Sequence, residues 1–220
     1  MSIQTNLSNI RTELPSHVTL VAVSKTKPIE DLIQAYQSGQ RVFGENKIQE
    51  MAEKYQKMPK DVQWHMIGNI QRNKVKYMAS FVDLVHGVDS LKLLNEINKQ
   101  AEKNKRIINC LIQIKIAQEN TKFGMSFDQA KNLISSKEVK KLKNISIVGL
   151  MGMASFTQDK TQIKKEFKTL KSNFDNLQKM ASNLMILSMG MSGDYTLAIE
   201  NGSTMIRLGS SIFGARNYTN

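Results

Sequence analysis

Apolar residues in this chain fall into short runs rich in β-branched side chains, separated by longer stretches in which they recur every three or four positions. The first pattern is that of a buried strand, the second that of an amphipathic helix packing one face on a core. Eight runs have strand character: residues 19–25, 41–46, 63–68, 84–89, 109–116, 146–154, 185–190 and 205–208, with starts about every 20 to 40 residues. Between them, Ile29, Leu32, Ile33 and Tyr36 share one helical face, and Leu91, Leu94 and Ile97 another. Ile163, Phe167, Leu170, Phe174, Leu177 and Ala181 follow at spacings of 4, 3, 4, 3 and 4. Strands alternating with helices form parallel sheets, and strands buried on both faces read as nearly continuous hydrophobe. Eight such units predict an α/β protein with a closed (β/α)8 TIM barrel; an open doubly wound sheet is the alternative. Only 12 residues follow Leu208, enough for a stub of helix. Ile3, Leu7, Ile10 and Leu14, at spacings of 4, 3 and 4, predict an extra N-terminal helix that covers the barrel wall or one end.

The 220 residues include three prolines and no Ser/Gly-rich linker or low-complexity tract, which predicts a single domain over residues 1–220. A chain of this length buries about 70% of the surface its unfolded form exposes, enough for a full core. The single cysteine, Cys110, excludes an intrachain disulfide and fits a reducing compartment. The first residues carry neither a basic n-region nor an apolar h-region, and no apolar stretch approaches the ~20 residues of a membrane span. A cytoplasmic protein without membrane association is expected. Lys and Arg total 31 against 19 Asp and Glu, a formal charge of +12. Nucleic acid is one reading of that excess, but the lysines fall mainly on polar faces of predicted helices, without aromatic interleaving. A solvated basic surface with no specific nucleic-acid partner is therefore expected.

In a barrel of this kind, function gathers where the strands end. The first strand runs into Ser24-Lys25-Thr26-Lys27-Pro28, and period-two alternation puts Val21, Val23 and Lys25 on one face. A lysine held among apolar walls has its charged form disfavoured, which frees the amine as a nucleophile toward a carbonyl. Schiff-base chemistry is one reading of Lys25; a side chain snorkelling into water is the other. The second and third strands end in Phe43-Gly44-Glu45-Asn46 and Trp64-His65-Met66-Ile67-Gly68. After the last two strands, glycines and hydroxyls cluster in 187–195 and 201–214. Backbone N–H groups after Gly209 would make an anion site, Ser188 could add a hydroxyl, and Arg207, on the same strand face as Gly209, would project a fixed cation into the barrel mouth.

These stretches, together with Gly149-Leu150-Met151, resemble the YggS/PROSC family of pyridoxal 5'-phosphate (PLP) homeostasis proteins, which is similar to the N-terminal barrel of alanine racemases. The resemblance runs from Val21 to Arg216. It implies that Lys25 holds PLP as a Schiff base, that Asn46 lies beside the cofactor, and that Ser188, Gly209 and Ser210 bind its phosphate. It further implies that Arg207 faces the pyridine nitrogen. The chain departs from the family at the rim, with Lys47 where an aromatic is frequent, Asn69 in place of a proline, and Lys122-Phe123-Gly124 in place of Lys-Ser-Gly.

The function expected is storage, buffering or delivery of PLP without robust turnover. PLP-dependent apoenzymes or vitamin B6 pathway enzymes are its expected partners, and the chain itself is expected to be a monomer. The enzyme alternative is an amino-acid racemase, which needs bases on both faces of a carbanion where Lys25 supplies one. In the alanine racemases a further β-domain supplies the opposing tyrosine; here Tyr195 or a water could support only a slow reaction. His17, His65 and His86 lack metal-ligand spacing and read as structural or hydrogen-bonding residues. Met151, Met153, Met189 and Met191 read as core filling rather than cofactor contacts, and Asp89 and Asp194 as caps of the helices that follow them.

Overall fold

The computed structural model describes residues 2–119 and 123–215. Along the chain, α1 (Ile3–Glu13) precedes β1 (Thr19–Val23), α2 (Ile29–Gln37), β2 (Val42–Glu45), α3 (Ile48–Lys57) and β3 (Gln63–Met66). A 3-10 turn (Arg72–Tyr77) leads into β4 (Val82–Val88), α4 (Leu91–Lys103), β5 (Ile108–Ile114), α5 (Phe127–Ser135) and α6 (Lys137–Lys140). Then come β6 (Ile145–Gly152), α7 (Lys160–Gln178), β7 (Ile186–Met191), α8 (Tyr195–Glu200), β8 (Met205–Leu208) and α9 (Ser210–Phe213). The eight strands pair in parallel, each with the next, and β8 returns to β1, closing the barrel.

Alternation along each strand divides the core into two. Val21, Leu84, Leu111, Met151 and Met205 point inward and fill the barrel. Their neighbours Leu20, Ala22, Phe43, Ile112, Leu150 and Ile206 point outward against Leu32, Leu94, Ile97, Phe167 and Leu170 of the surrounding helices. Period two in the strands and period 3.6 in the helices thus meet at one interface. Cys110 sits there fully buried, and burial pushes its thiol up, which makes it an inert filler.

The N-terminal helix forms as its spacing predicts. Ser2 caps it by accepting from Thr5 N, Leu7 and Ile10 are buried, and Asn6 donates to Ile212 O at 2.9 Å, tying α1 to the terminal stub. Most strand boundaries move by one or two residues from the sequence reading, and two of the differences have a plain cause. Ala181 lies beyond α7, because the Leu177 carbonyl accepts from both Met180 N and Ala181 N and turns the chain away. Lys25 lies beyond β1, because Lys27 N bonds to Ser24 O at 3.1 Å and Thr26 adopts φ 62°. The α4 cap is Ser90, accepting from Leu93 N, and not Asp89: the serine oxygen sits one residue closer to the exposed N–H groups of the first turn.

Phe167 of α7 is completely buried between helix and barrel. Phe167→Ala is expected to cost about 3–5 kcal/mol through lost burial and the cavity left behind. Urea unfolding checks this as a lowered midpoint with an unchanged slope.

Candidate functional site

Lys25, half-buried, lines a cavity of about 720 Å3 at the carboxyl ends of the strands. Val23, Asn46, Ile67, Gly68, Gln113, Met153, Met191, Ser192, Arg207, Gly209 and Ser210 share its wall. Of the six residues the sequence assigns to the cofactor, five therefore meet at one cavity: Lys25, Asn46, Arg207, Gly209 and Ser210. The β2 and β3 ends approach so closely that a Cβ on Gly68 would lie 2.3 Å from Asn46 O, so only glycine lets the Asn46 backbone stand where it does.

Across the cavity, β7 carries a bulge. Its register against β8 shifts between Ser188 and Met191, and Gly190 takes φ 98° there, a conformation that re-aims the strand end. Asp194 stands at the N-cap position of α8, but its side chain makes no capping hydrogen bond to the helix and accepts instead from Met191 N at 2.6 Å. The bulge sets Ser192 against the β8–α9 turn, where its hydroxyl oxygen accepts from Gly209 N (3.2 Å) and Ser211 N (3.4 Å). Two N–H groups and a hydroxyl thus converge beside Ser210. Ser192 and Ser211 were not among the residues selected from sequence, since a hydroxyl four residues beyond Ser188 acquires its place only through the bulge.

Ser188 itself lies fully buried in the barrel interior rather than on the cavity wall with Gly209. Its hydroxyl accepts from Arg207 Nη1 at 2.6 Å and meets His86 Nδ1 at 3.1 Å; His86 Nε2 in turn meets His65 Nδ1 at 3.1 Å. Arg207 also donates to Gly152 O at 3.1 Å. The guanidinium is 4% exposed, and burial brings its pKa down to about 10, opposed by Asp194. It therefore remains a cation at neutral pH, held in one orientation from two sides. Burial keeps both histidines neutral: it lowers His65 to about 3 and holds His86 well below its ordinary value, with His65 and Arg207 adding to the effect on His86. These two side chains hydrogen-bond in the interior, whereas His17 is exposed. Met151 and Met189 are core residues; Met153 and Met191 reach the cavity. Tyr195 packs against the core. At the rim, Asn69 and Phe123 line the cavity, while Lys122 and Arg216 lie outside the described residues. Among the described residues there is no cluster of three or more His, Cys, Asp or Glu suited to a metal, and no helix long and apolar enough to cross a membrane.

A closed (β/α)8 barrel with a lysine just past its first strand and hydrogen-bond donors after its last two defines a recognisable class. The profile of the family described as "Alanine racemase, N-terminal domain" matches residues 1–217, and the chain belongs to that family. It is 38% identical to the pyridoxal phosphate homeostasis protein of Pasteurella multocida over the whole of both chains. It is 40% identical to that of Schizosaccharomyces pombe, over 91% of this chain and 85% of the other. Among solved structures, PipY of Synechococcus elongatus with PLP bound superposes with a TM-score of 0.88 at 32% identity, over 97% of this chain and 100% of that one.

The neutral histidine pair makes stability acid-sensitive. The unfolded chain binds a proton at His65 below pH ~6.5 that the folded chain refuses until about pH 3, so this stability is complete above the upper limit and falls as pH drops through the window. For His65 the loss at pH 5 relative to pH 7 is about 2 kcal/mol, and His86 acts in the same direction. Urea midpoints at the two pH values measure it, and His65→Gln is expected to shrink the difference.

Proposed function

We propose that this chain is a PLP-binding protein of intracellular PLP homeostasis: a single cytoplasmic, monomeric barrel domain over residues 1–220 that stores, buffers or delivers the cofactor. PLP-dependent apoenzymes or vitamin B6 pathway enzymes would give or receive it. The observation that carries this reading is the convergence, on one cavity, of the Lys25 amine with Ser192, Gly209 and Ser210 of the β7–α8 and β8–α9 turns. The names of the relatives, and PLP in the PipY structure, support the choice of cofactor.

The residues fit the group. A cavity of about 720 Å3 has room for it and is lined by the Lys25 amine, the Ser192 hydroxyl and the Gly209–Ser210 turn. The Lys25 amine would condense with the aldehyde carbon, forming C=N and releasing one water, with no change of oxidation state. Gly209, Ser210, Ser211 and Ser192 would hold the phosphate. Asn46 would flank the ring, and Arg207 would face its nitrogen. When bound, PLP supplies a carbonyl carbon for amines and an electron sink that is strong only when the ring nitrogen is protonated. The Arg207 guanidinium, if beside that nitrogen, would disfavour a second positive charge and so weaken the sink. This agrees with holding the cofactor rather than turning over an amino acid.

Borohydride reduction of protein equilibrated with PLP, followed by peptide mapping, is expected to find a pyridoxyl group on the Lys25 peptide, lost in Lys25→Ala. Absence of any specific lysine label would overturn the reading. The racemase alternative makes the opposite forecast for loaded protein incubated with L-alanine: sustained formation of the D-isomer above the rate of free PLP. No such formation is expected.

A further inference from the structure

The turn that carries Lys25 is tied to α3 on both sides of the lysine. Before it, the Ser24 carbonyl accepts from Lys54 Nζ at 2.7 Å, and the Ser24 hydroxyl donates to Glu45 Oε1 at 2.6 Å. After it, Thr26 N donates to Glu50 Oε1 at 2.6 Å. Thr26 is β-branched and sits at φ 62°, a conformation such a residue adopts only when its surroundings enforce it. Lys54 joins the two sides. Its ammonium lies 2.8 Å from Glu45 Oε1 and 2.7 Å from Glu50 Oε1, so together with the Ser24 carbonyl all three of its protons are directed.

This cluster is costly to build. Lys54 is 6% exposed and Glu45 is fully buried. Among the described residues, Glu45 Oε2 has no hydrogen-bond partner, and burial raises the pKa of this carboxyl against the opposing pull of Lys54. Desolvation of buried ions largely offsets their attraction, so the cluster is a poor source of net stability. It is a good source of geometry, because charge-assisted hydrogen bonds are short and directional. One carboxylate oxygen, Glu50 Oε1, receives both the Thr26 N–H and the Lys54 ammonium, and so couples the backbone after Lys25 to the backbone before it.

We propose that Glu50 and Lys54 are positioning residues for the Lys25 amine, clamping the backbone on either side of it so that the side chain enters the cavity along one path. The inference rests on the reading of Lys25 as the PLP-bearing lysine. The two α3 residues act only through the turn; neither lines the cavity with Lys25. Glu50 and Lys54 stand one helical turn apart, so a single face of α3 delivers both ends of the clamp.

The test measures the rate of borohydride-trappable PLP attachment to Lys25, and the visible absorption of the bound cofactor, in the full chain at a temperature well below unfolding. Glu50→Ala and Lys54→Met are each expected to slow attachment about tenfold, a loss typical of a misplaced reacting group, and to broaden the absorption band. Glu50→Gln keeps an oxygen for the Thr26 N–H and is expected to recover most of the rate. Ser90→Ala, which removes the remote α4 cap, controls for general destabilisation and is expected to leave the rate unchanged while lowering Tm. Should Glu50→Ala fail to fold, Glu50→Asp replaces it: its carboxylate, one methylene shorter, cannot reach both partners, and a severalfold loss is expected. Wild-type rates in the folded Glu50 and Lys54 variants would overturn the clamp while leaving the PLP reading intact. Absence of Lys25 labelling in the wild type would instead overturn the PLP reading itself, and the clamp with it.

Discussion

The register of β1 against β8 is the constraint on which the rest of the molecule depends. Val21 lies opposite Arg207, and Ala22 opposite Leu208, so closure of the barrel brings the turn after the first strand beside the turn after the last. A one-residue slip would exchange inward and outward faces, sending Arg207 into the helical layer and Met205 out of the barrel core. Lys27 reinforces the juxtaposition from outside the sheet: its ammonium donates to Phe213 O at 2.9 Å, linking the Lys25 turn to the C-terminal stub. The lysine and the anion-seeking donors come from opposite ends of the chain. They share a cavity only because eight strands complete a circle.

A barrel interior is ordinarily packed with branched apolar side chains. Here the lower part obeys that rule, with Val21, Leu84, Leu111, Met151 and Met205. His65, His86, Ser188 and Arg207 form a hydrogen-bonded chain that breaks it. Keeping the histidines neutral leaves the guanidinium as the cation of that chain, and the serine hydroxyl passes its orientation inward. Buried polar chains are tolerable when their members are satisfied, and then they specify one arrangement of side chains. The Lys54 cluster is its counterpart between α3 and the turn after β1. Both trade some stability for fixed geometry near the strand ends.

The basic surface has a different status. Lys164, Lys165 and Lys168 are exposed on the outer face of α7, away from the cavity mouth. Their distribution follows the solvent side of an amphipathic helix, which is what the spacing of Ile163, Phe167 and Leu170 requires of the positions between them. Net charge of this size affects solubility and association rates without bearing on the fold.

The eight strands, the long helix over 160–178 and the N-terminal helix were legible because burial imposes a period, and period is a local property of sequence. Lys25, Arg207 and Gly209 could be selected because they stand at strand ends, which form one rim in a closed barrel, whereas Asn46 and Ser210 were selected through the family resemblance. Ser188 and Ser192 could not be told apart from sequence, since both are hydroxyls two residues from Gly190. The bulge at Gly190 decides which one reaches the rim and which turns inward to Arg207. Glu50 and Lys54 have the spacing of an ordinary helical ion pair, which says nothing of the turn they hold, because Ser24 and Thr26 lie outside α3. The sequence by itself thus determined which segments are buried and which residue types stand at their ends. Only the tertiary structure decided which of those residues touch, because contacts across a closed sheet depend on register, and register joins residues that are far apart along the chain.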